Sequence, residues 1–493
     1  MLKKNDRSDN FGHLTGAIGG GASIGRNFVK SSLLLMVNIG IRYALQLVYL
    51  SLMTKMISPD IFGVVALASP IMSFFTLFSV NATGFLTMHK KDLSKETVDN
   101  HFWASMAFSV VLCVLALAIT PVFAQVYRDA RLLSIIPVLG IMFLLNPLIV
   151  QGRAILDRNL RFNNATGFET LALLVSYVCS LMITYKYRNQ FGLVVQQVVV
   201  LLVTALLLLI KTGWIPRWPR KIVRLERADF TFVRNITISK IAQFLNANID
   251  KLLIGHAYGM EQLGYYNNAL KLNTIPVRQI RIPFSSFVIP SMIRYQNTDD
   301  RMSFFYNSMT VMMLVTFPLI VFFVVFADKI VMTVLGISWL ECSSIVRIMG
   351  IYTFVTCILP QFEWYLIAMK KDRKQKWINV ISATVNSIIL VVLSRYAFRW
   401  FLVGYSLSAI VTFAIYLFFM SNDARYDVVH MLKVISPIVL IAISAAALVY
   451  VTVSARIVSN VMVEFVLFAT VYGMTVLFVP GYRATLKNMV KRR

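Results

Sequence analysis

Apolar runs of about 20 residues, the length a helix needs to cross a bilayer, recur along almost the whole chain and are separated by short polar breaks. In lipid the backbone N–H and C=O groups find no outside partner, so each such run is read as a helix that satisfies its own hydrogen bonds. The runs fall at 31–54, 61–86, 101–123, 132–151, 165–185, 191–210, 231–254, 262–289, 303–326, 342–369, 377–396, 400–420, 432–453 and 460–480. The pattern therefore predicts an all-α integral membrane protein with about fourteen transmembrane helices, of which 231–254 is among the most polar.

The breaks between the runs carry the topology. With the N-terminus placed in the cytoplasm, 32 of the 48 Lys and Arg residues fall on the cytoplasmic side. The opposite side holds nine: Lys55, Arg128, Arg131, Lys186, Arg188, Lys329, Arg395, Arg399 and Arg456. Basic loops mark the cytoplasmic face, and an error in the number of spans would scramble this alternation. Both termini are expected in the cytoplasm of a bacterial inner-membrane protein. The remaining seven cations lie inside the spans.

Composition sharpens the picture by exclusion. The 493 residues are 58% hydrophobic and 14% charged, with a mean hydropathy of +0.71. A water-soluble chain carries roughly a quarter charged residues, so soluble multidomain, disordered, collagenous and disulfide-scaffold classes are excluded. The formal charge of +26 would by itself suggest nucleic acid, but most of the excess is explained by topology and no nucleic-acid partner is expected. Residues 1–30 contain a Gly-rich stretch from Gly16 to Gly25 and lack the pattern of a cleavable signal. Cys113, Cys179, Cys342 and Cys357 have no metal or redox spacing, and no His, Cys and carboxylate cluster has metal-ligand geometry. No metal, cofactor or catalytic residue is expected.

The organisation reads as a cytoplasmic tail (1–30), an N-lobe of six helices (31–210), a basic linker (211–230), a C-lobe of six helices (231–420), a further helix pair (431–480) and a basic tail (481–493). The linker carries Trp214 and Trp218 among its cations, which suits either a segment binding anionic headgroups or an ordinary positive-inside connection. A shift of 201 residues places Gly63 on Gly264, Asp60 on Glu261 and Ala68 on Ala269, and superimposes the polar positions of the preceding helices. Two six-helix copies related in this way share one orientation, and such repeats bind substrate between them.

Polar groups inside the spans are arranged in helical stripes. Asn38, Arg42, Gln46 and Tyr49 recur at helical spacing in the first span. Ser239, Gln243, Asn246 and Asp250 do so in the seventh, with Lys240 adjacent. Lys271, Thr274, Arg278, Arg281 and Ser285 form a third stripe in the eighth. Ionisable residues within a membrane normally face protein or a water-filled cavity, and three cations on one stripe repel one another unless an anion or water screens them. Arginine binds phosphate and carboxylate oxygens bidentately. The expected feature is a cationic cavity with an anionic cargo, lined by Arg42, Lys240, Lys271, Arg278, Arg281, Asn38, Gln46, Gln243 and Asn246. Asn248, Asn267 and Asn268 are further candidates for contacts to sugar hydroxyls. Lys251 and Arg347 can instead snorkel to an interface. The acids Asp250, Glu169, Glu363 and Glu464 either couple an ion such as H+ or Na+, for which Asp250 and Glu363 are the leading candidates, or pair with a buried cation.

Three stretches, LMTKMISPDIFGVVALA, GRAILDRNLRFNNATGFET and ANIDKLLIGHAYGMEQLGYYNNALKLNTIPVRQI, resemble bacterial polysaccharide-repeat flippases of the Wzx type. These belong to the multidrug/oligosaccharidyl-lipid/polysaccharide superfamily, and the resemblance is greatest to the colanic-acid-exporter branch. It covers roughly 25–480. It implies two six-helix lobes in a V around a central cationic cavity, no enzymatic step, and export of an undecaprenyl-pyrophosphate-linked oligosaccharide by alternating access. Partners implied are that lipid-linked oligosaccharide, membrane lipids, a polysaccharide polymerase and a chain-length regulator. In the GRAILDRNLRF loop, Arg153, Arg158 and Arg161 would recruit the headgroup or serve only as positive-inside anchors. Two competing readings are a small-molecule exporter of the same superfamily, whose site should be acidic and aromatic, and a membrane polymerase or ligase, which should carry a large outward loop. The longest outward loop here is about 327–341.

Overall fold

The computed structural model describes residues 38, 40–79, 95–158, 162–218, 227–295, 298–421, 428–454 and 461–478. The tails 1–30 and 481–493 lie outside these residues, as does part of the 211–230 linker. The described chain is helical throughout its regular structure. The helices are α1 (40–54), α2 (Pro59–Ser79), α3 (Lys95–Val126), α4 (Leu132–Arg158), α5 (Phe162–Tyr187), α6 (Phe191–Thr212), α7 (227–258), α8 (260–294), α9 (Thr298–Val325), α10 (Ala327–Val334), α11 (Glu341–Ala368), α12 (Asp372–Leu393), α13 (Phe398–Ser421), α14 (Val428–Ser454) and α15 (Val461–Phe478).

Each expected span coincides with one of these helices, and α10 is the addition. Among the described residues, nine helices are long and apolar enough to cross a membrane: α3 to α6, α9 and α11 to α14. The others are shorter in their described part or, for α7 and α8, more polar, as a helix lining an aqueous cavity must be. The protein is thus an all-α, multi-pass membrane protein. The 327–341 loop expected outside the membrane holds α10 and a 3-10 turn at Ile337–Trp339.

One end of the bundle is sealed. The 55–58, 127–131, 256–260, 336–340 and 394–397 connections, all assigned to one face by the charge alternation, meet there. Trp339 Nε1 donates to the Thr54 carbonyl at 2.9 Å, His256 Nδ1 lies 3.3 Å from the Val126 carbonyl, and the Tyr258 hydroxyl donates to the Tyr396 carbonyl at 2.8 Å. Trp339 is fully buried with its ring edge-on to Phe62 and Tyr265. The larger hydrophobic core runs beneath this end and joins α1–α4 and α6 to α7, α8, α11 and α13, with Met53, Leu67, Leu139, Tyr266, Met349 and Phe401 at its centre. A second core binds α9, α11, α14 and α15 through Phe305, Phe317, Phe362 and Phe468.

The crossing of α2 and α8 in the sealed end is set by two glycines. A Cβ on Gly63 would lie 1.7 Å from the Met260 carbonyl oxygen, and one on Gly264 would lie 1.9 Å from the Pro59 carbonyl oxygen. Both pairings are reciprocal under the same 201-residue shift that aligns the two glycines in sequence. Gly259 makes the turn from α7 to α8 at φ 85° and ψ 175°, a conformation that only glycine adopts without strain.

Ion pairs fasten the same end. Arg131 bridges Asp60 at the start of α2 and Asp129 in the α3–α4 connection, both at 2.7 Å. Burial raises the Asp60 carboxyl pKa, but hydrogen bonds from Ser58 and Arg131 outweigh it and hold the group below its ordinary 3.8. A depressed carboxyl contributes its stability in full above the unfolded pKa and loses it as pH falls through the folded one. Asp60→Asn should therefore flatten the acid limb of thermal stability below about pH 4, which unfolding in detergent across that range would register; an unchanged acid limb contradicts the assignment.

Candidate functional site: a cationic cavity

A cavity of about 750 Å³ lies between α1, α2, α4, α5 and α6 on one side and α7 and α8 on the other. Five cations line it, Arg42, Arg153, Lys251, Lys271 and Arg278, against one carboxylate, Glu169. Gln46, Gln196, Gln197, Asn267 and Gln279 supply neutral polar groups, and Tyr49 and Tyr177 an aromatic wall. It lies below the sealed end, and toward the opposite end Arg153, at the foot of α4, is exposed.

The two walls treat their cations differently. Glu169 Oε2 accepts from Arg42 Nη1 at 3.0 Å, and Glu169 Oε1 accepts from Arg153 Nη1 at 2.5 Å, so one carboxylate ties α1, α4 and α5 together. No hydrogen bond or ion pair holds Lys251, Lys271 or Arg278 among the described residues. Lys251 and Lys271 lie near enough for each charge to act on the other. Such a wall repels itself, and an anion in the cavity relieves the repulsion.

The α1–α5 contact explains which stripe residues enter the cavity. Thr170 Oγ1 donates to Asn38 Oδ1 at 2.6 Å, Tyr49 stacks on Tyr177 with centroids 4.1 Å apart, and the Tyr49 hydroxyl is 2.7 Å from Ser180 Oγ. Successive positions at i and i+4 drift by about 40° around a helix. Gln46 and Arg42 therefore face the cavity, while Asn38 faces α5 and is not part of the lining. On α8 the lining is Asn267, Lys271, Ile275, Arg278, Gln279 and Ile282. Arg281 sits about 80° around from Lys271 and turns away, toward Tyr352, Cys357 and Glu363.

Asp250, Glu363 and Glu464 are not among the residues that line the cavity. Asp250, fully buried, accepts from the Tyr266 hydroxyl through Oδ2, while Oδ1 has no hydrogen-bond partner among the described residues. Glu363 accepts from Tyr416 at 3.1 Å within the α11–α13 packing. Glu464 pairs with Lys329, and Arg347 pairs with Asp328 rather than standing alone. Asn268 is buried with neither amide atom partnered among the described residues, and Asn248 donates to the Phe244 carbonyl. The side chains of Lys240, Gln243, Asn246 and Arg158, and the whole of Arg161, lie outside the described residues. Trp214 of the linker is buried against Val98, Phe102 and Ile155, with its Nε1 donating to Asp99 at 2.8 Å, so it packs on protein rather than lipid. Trp218 stays exposed.

The lining also includes residues that stripe analysis did not select. Lys251, whose sequence context suits snorkelling to an interface, lines the cavity from α7. Gln196 and Gln197 carried a usable signal, because they form a lone polar pair in the otherwise apolar run VVQQVVV of α6.

The chain resembles known proteins in sequence and in fold. The profile of the family described as "Polysaccharide biosynthesis protein" matches residues 52–344. Teichuronic acid biosynthesis protein TuaB of Bacillus subtilis (strain 168) is 28% identical over 273 residues, 54% of this chain and 56% of the relative. Lipopolysaccharide biosynthesis protein WzxC of Escherichia coli (strain K12) is 21% identical over 304 residues, 60% of each. The matched segment thus spans a little over half the length of these relatives. The solved structure titled "Lipid II flippase MurJ, inward closed conformation" has the same fold, with a TM-score of 0.75, 13% identity, and coverage of 92% of this chain and all of that one. The chain belongs to the polysaccharide biosynthesis protein family.

Proposed function

We propose that this protein is a flippase that exports an undecaprenyl-diphosphate-linked oligosaccharide across a bacterial inner membrane for surface polysaccharide synthesis. The observation that carries this reading is the charge of the cavity: five cations against one carboxylate among the described residues, set between helices that meet at the sealed end. A diphosphate fits this lining because arginine and lysine contact oxyanions from several directions, and the neutral amides suit sugar hydroxyls. The prenyl chain stays in lipid while the headgroup occupies the cavity. The names of TuaB and WzxC, both biosynthesis proteins of cell-surface glycans, and the fold shared with a lipid II flippase support the same cargo class. The lobes then rock so that α2 and α8 separate at the sealed end, and cargo drives the change only through differential affinity for the two states. Asp250, with its unpartnered oxygen, is our candidate for H+ or Na+ coupling, and Glu363 is the second. The distribution of Lys and Arg supports a cytoplasmic location for both termini.

A small-molecule exporter with an acidic, aromatic site fits this lining poorly, and a polymerase or ligase would act on substrate already outside. Cells lacking the protein separate these readings. They should accumulate lipid-linked repeat units that only reagents entering the cytoplasmic leaflet can modify. Accumulation in the outer leaflet would point to a polymerase or ligase and contradict the proposal.

A further inference from the structure

We infer that Glu169 is a built-in stand-in for the cargo's diphosphate: it holds Arg42 and Arg153 in the empty cavity and gives them up when the ligand arrives. The inference rests on the proposed cargo class and assigns a specificity-setting and release role to a residue that would otherwise count as a simple salt-bridge partner.

Three observations lead to it. Glu169 is the one carboxylate in a lining of five cations, and it engages one guanidinium through each oxygen, Arg42 at 3.0 Å and Arg153 at 2.5 Å. An oxyanion bridging two arginines is the geometry that a diphosphate would adopt there. The three residues are also half open rather than sealed, with side-chain exposures of 31% for Arg42, 53% for Arg153 and 25% for Glu169, so the pairs can be broken without unpacking a core. Finally, no hydrogen bond or ion pair holds the facing cations Lys251, Lys271 and Arg278 among the described residues, although the charge of buried Asp250 acts on Lys251. The carboxylate therefore neutralises only the α1–α4–α5 wall.

That asymmetry orders the events. The diphosphate meets the α7–α8 wall first, since no hydrogen bond or ion pair holds its cations among the described residues. It carries more negative charge than a carboxylate, so it can draw Arg42 and Arg153 away from Glu169 and bridge the two walls. In the reverse sense, Glu169 competes for the same guanidinium groups and promotes release of the cargo. Selectivity follows as well: a ligand with a single weak charge, or none, cannot displace Glu169 and leaves the walls unbridged. The role is that of a positioning and release residue, acting through the arginines.

Binding to the purified full-length protein tests this, with farnesyl diphosphate as probe and farnesol as the uncharged control. Glu169→Gln should bind farnesyl diphosphate about tenfold more tightly than the wild type, with a steeper loss of affinity as salt rises. In cells the same variant should export polymer more slowly, because release is impaired. Glu169→Asp, which keeps the charge but is one methylene short of spanning α1 to α4, should tighten binding by a smaller factor and serves if the Gln variant does not fold. Loss of a merely structural bridge would weaken binding, so equal or weaker affinity in a folded Glu169→Gln or Glu169→Asp protein overturns the inference. If the wild type binds the diphosphate and Arg278→Ala does not, while both Glu169 variants behave as wild type, the cargo reading stands and this inference falls. If the wild type does not distinguish farnesyl diphosphate from farnesol, the cargo reading fails and the inference with it.

Discussion

Arg278→Ala will abolish polymer export while the protein still inserts and keeps its thermal stability. Arg278 is exposed to the cavity and engages no other side chain among the described residues, so its removal leaves no buried charge unpaired and costs the fold little. A charge-assisted hydrogen bond contributes about 1.5–3 kcal/mol, so losing one such contact to a diphosphate corresponds to a drop of roughly ten- to a hundredfold in affinity. Arg278→Lys should restore part of the activity, because it returns the charge but not the planar fork. Arg42→Ala should also lose export. Its effect should be the smaller of the two, since Arg42 already spends part of its charge on Glu169. Complementation of an export-deficient strain, alongside membrane levels and unfolding temperature, reads all three variants. Full export by both alanine variants would contradict a cationic cargo site.

The second large effect concerns the sealed end. Real Cβ atoms essentially never approach another heavy atom closer than 3.0 Å, yet Cβ atoms on Gly63 and Gly264 would lie 1.7 and 1.9 Å from opposing carbonyl oxygens. The neighbours are backbone and cannot rotate away, so Gly63→Ala or Gly264→Ala must push α2 and α8 apart. Overpacking of this kind costs about 1–3 kcal/mol. The cost falls on the sealed arrangement and not on one in which these helices have separated, so the population moves toward the opened end. Cys342 offers a native reporter: it is fully buried in this region, with its Sγ 3.3 Å from the Tyr265 carbonyl. A membrane-impermeant maleimide should leave Cys342 unmodified in the wild type and label it in either glycine variant, with export reduced in both. The reciprocal geometry predicts similar effects at the two positions. An unlabelled Cys342 with normal export in both variants would contradict the gate.

The spans were legible because each signal rests on a strong physical constraint. Apolar length follows from the bilayer, and the Lys and Arg alternation grouped the very connections that meet at the sealed end. Short α10 was not legible, since eight residues around Asp328 and Lys329 read as a polar loop. For the cavity, helical spacing found Arg42, Gln46, Lys271 and Arg278. It overreached at Asn38 and Arg281, where the 3.6-residue turn carries a stripe position off the cavity face. Asn38 meets Thr170 and Arg281 faces Glu363 for that reason. The pairing of Glu169 with Arg42 and Arg153 joins residues up to 127 positions apart, and no local periodicity reports such a contact. Asp250 is instructive in the opposite sense: its stripe pointed to the cavity, but its carboxylate turns to Tyr266 inside the core.

The most direct test of the central claim is translocation by the purified protein in sealed proteoliposomes. A lipid-linked oligosaccharide diphosphate is placed in the membrane, and the fraction that an added, impermeant sugar-modifying enzyme can reach is followed over time. With active protein the whole pool should become accessible. In protein-free vesicles, and in vesicles carrying Arg278→Ala, the reaction should stop once the outer leaflet is consumed. Equal accessibility with and without the protein would contradict the account.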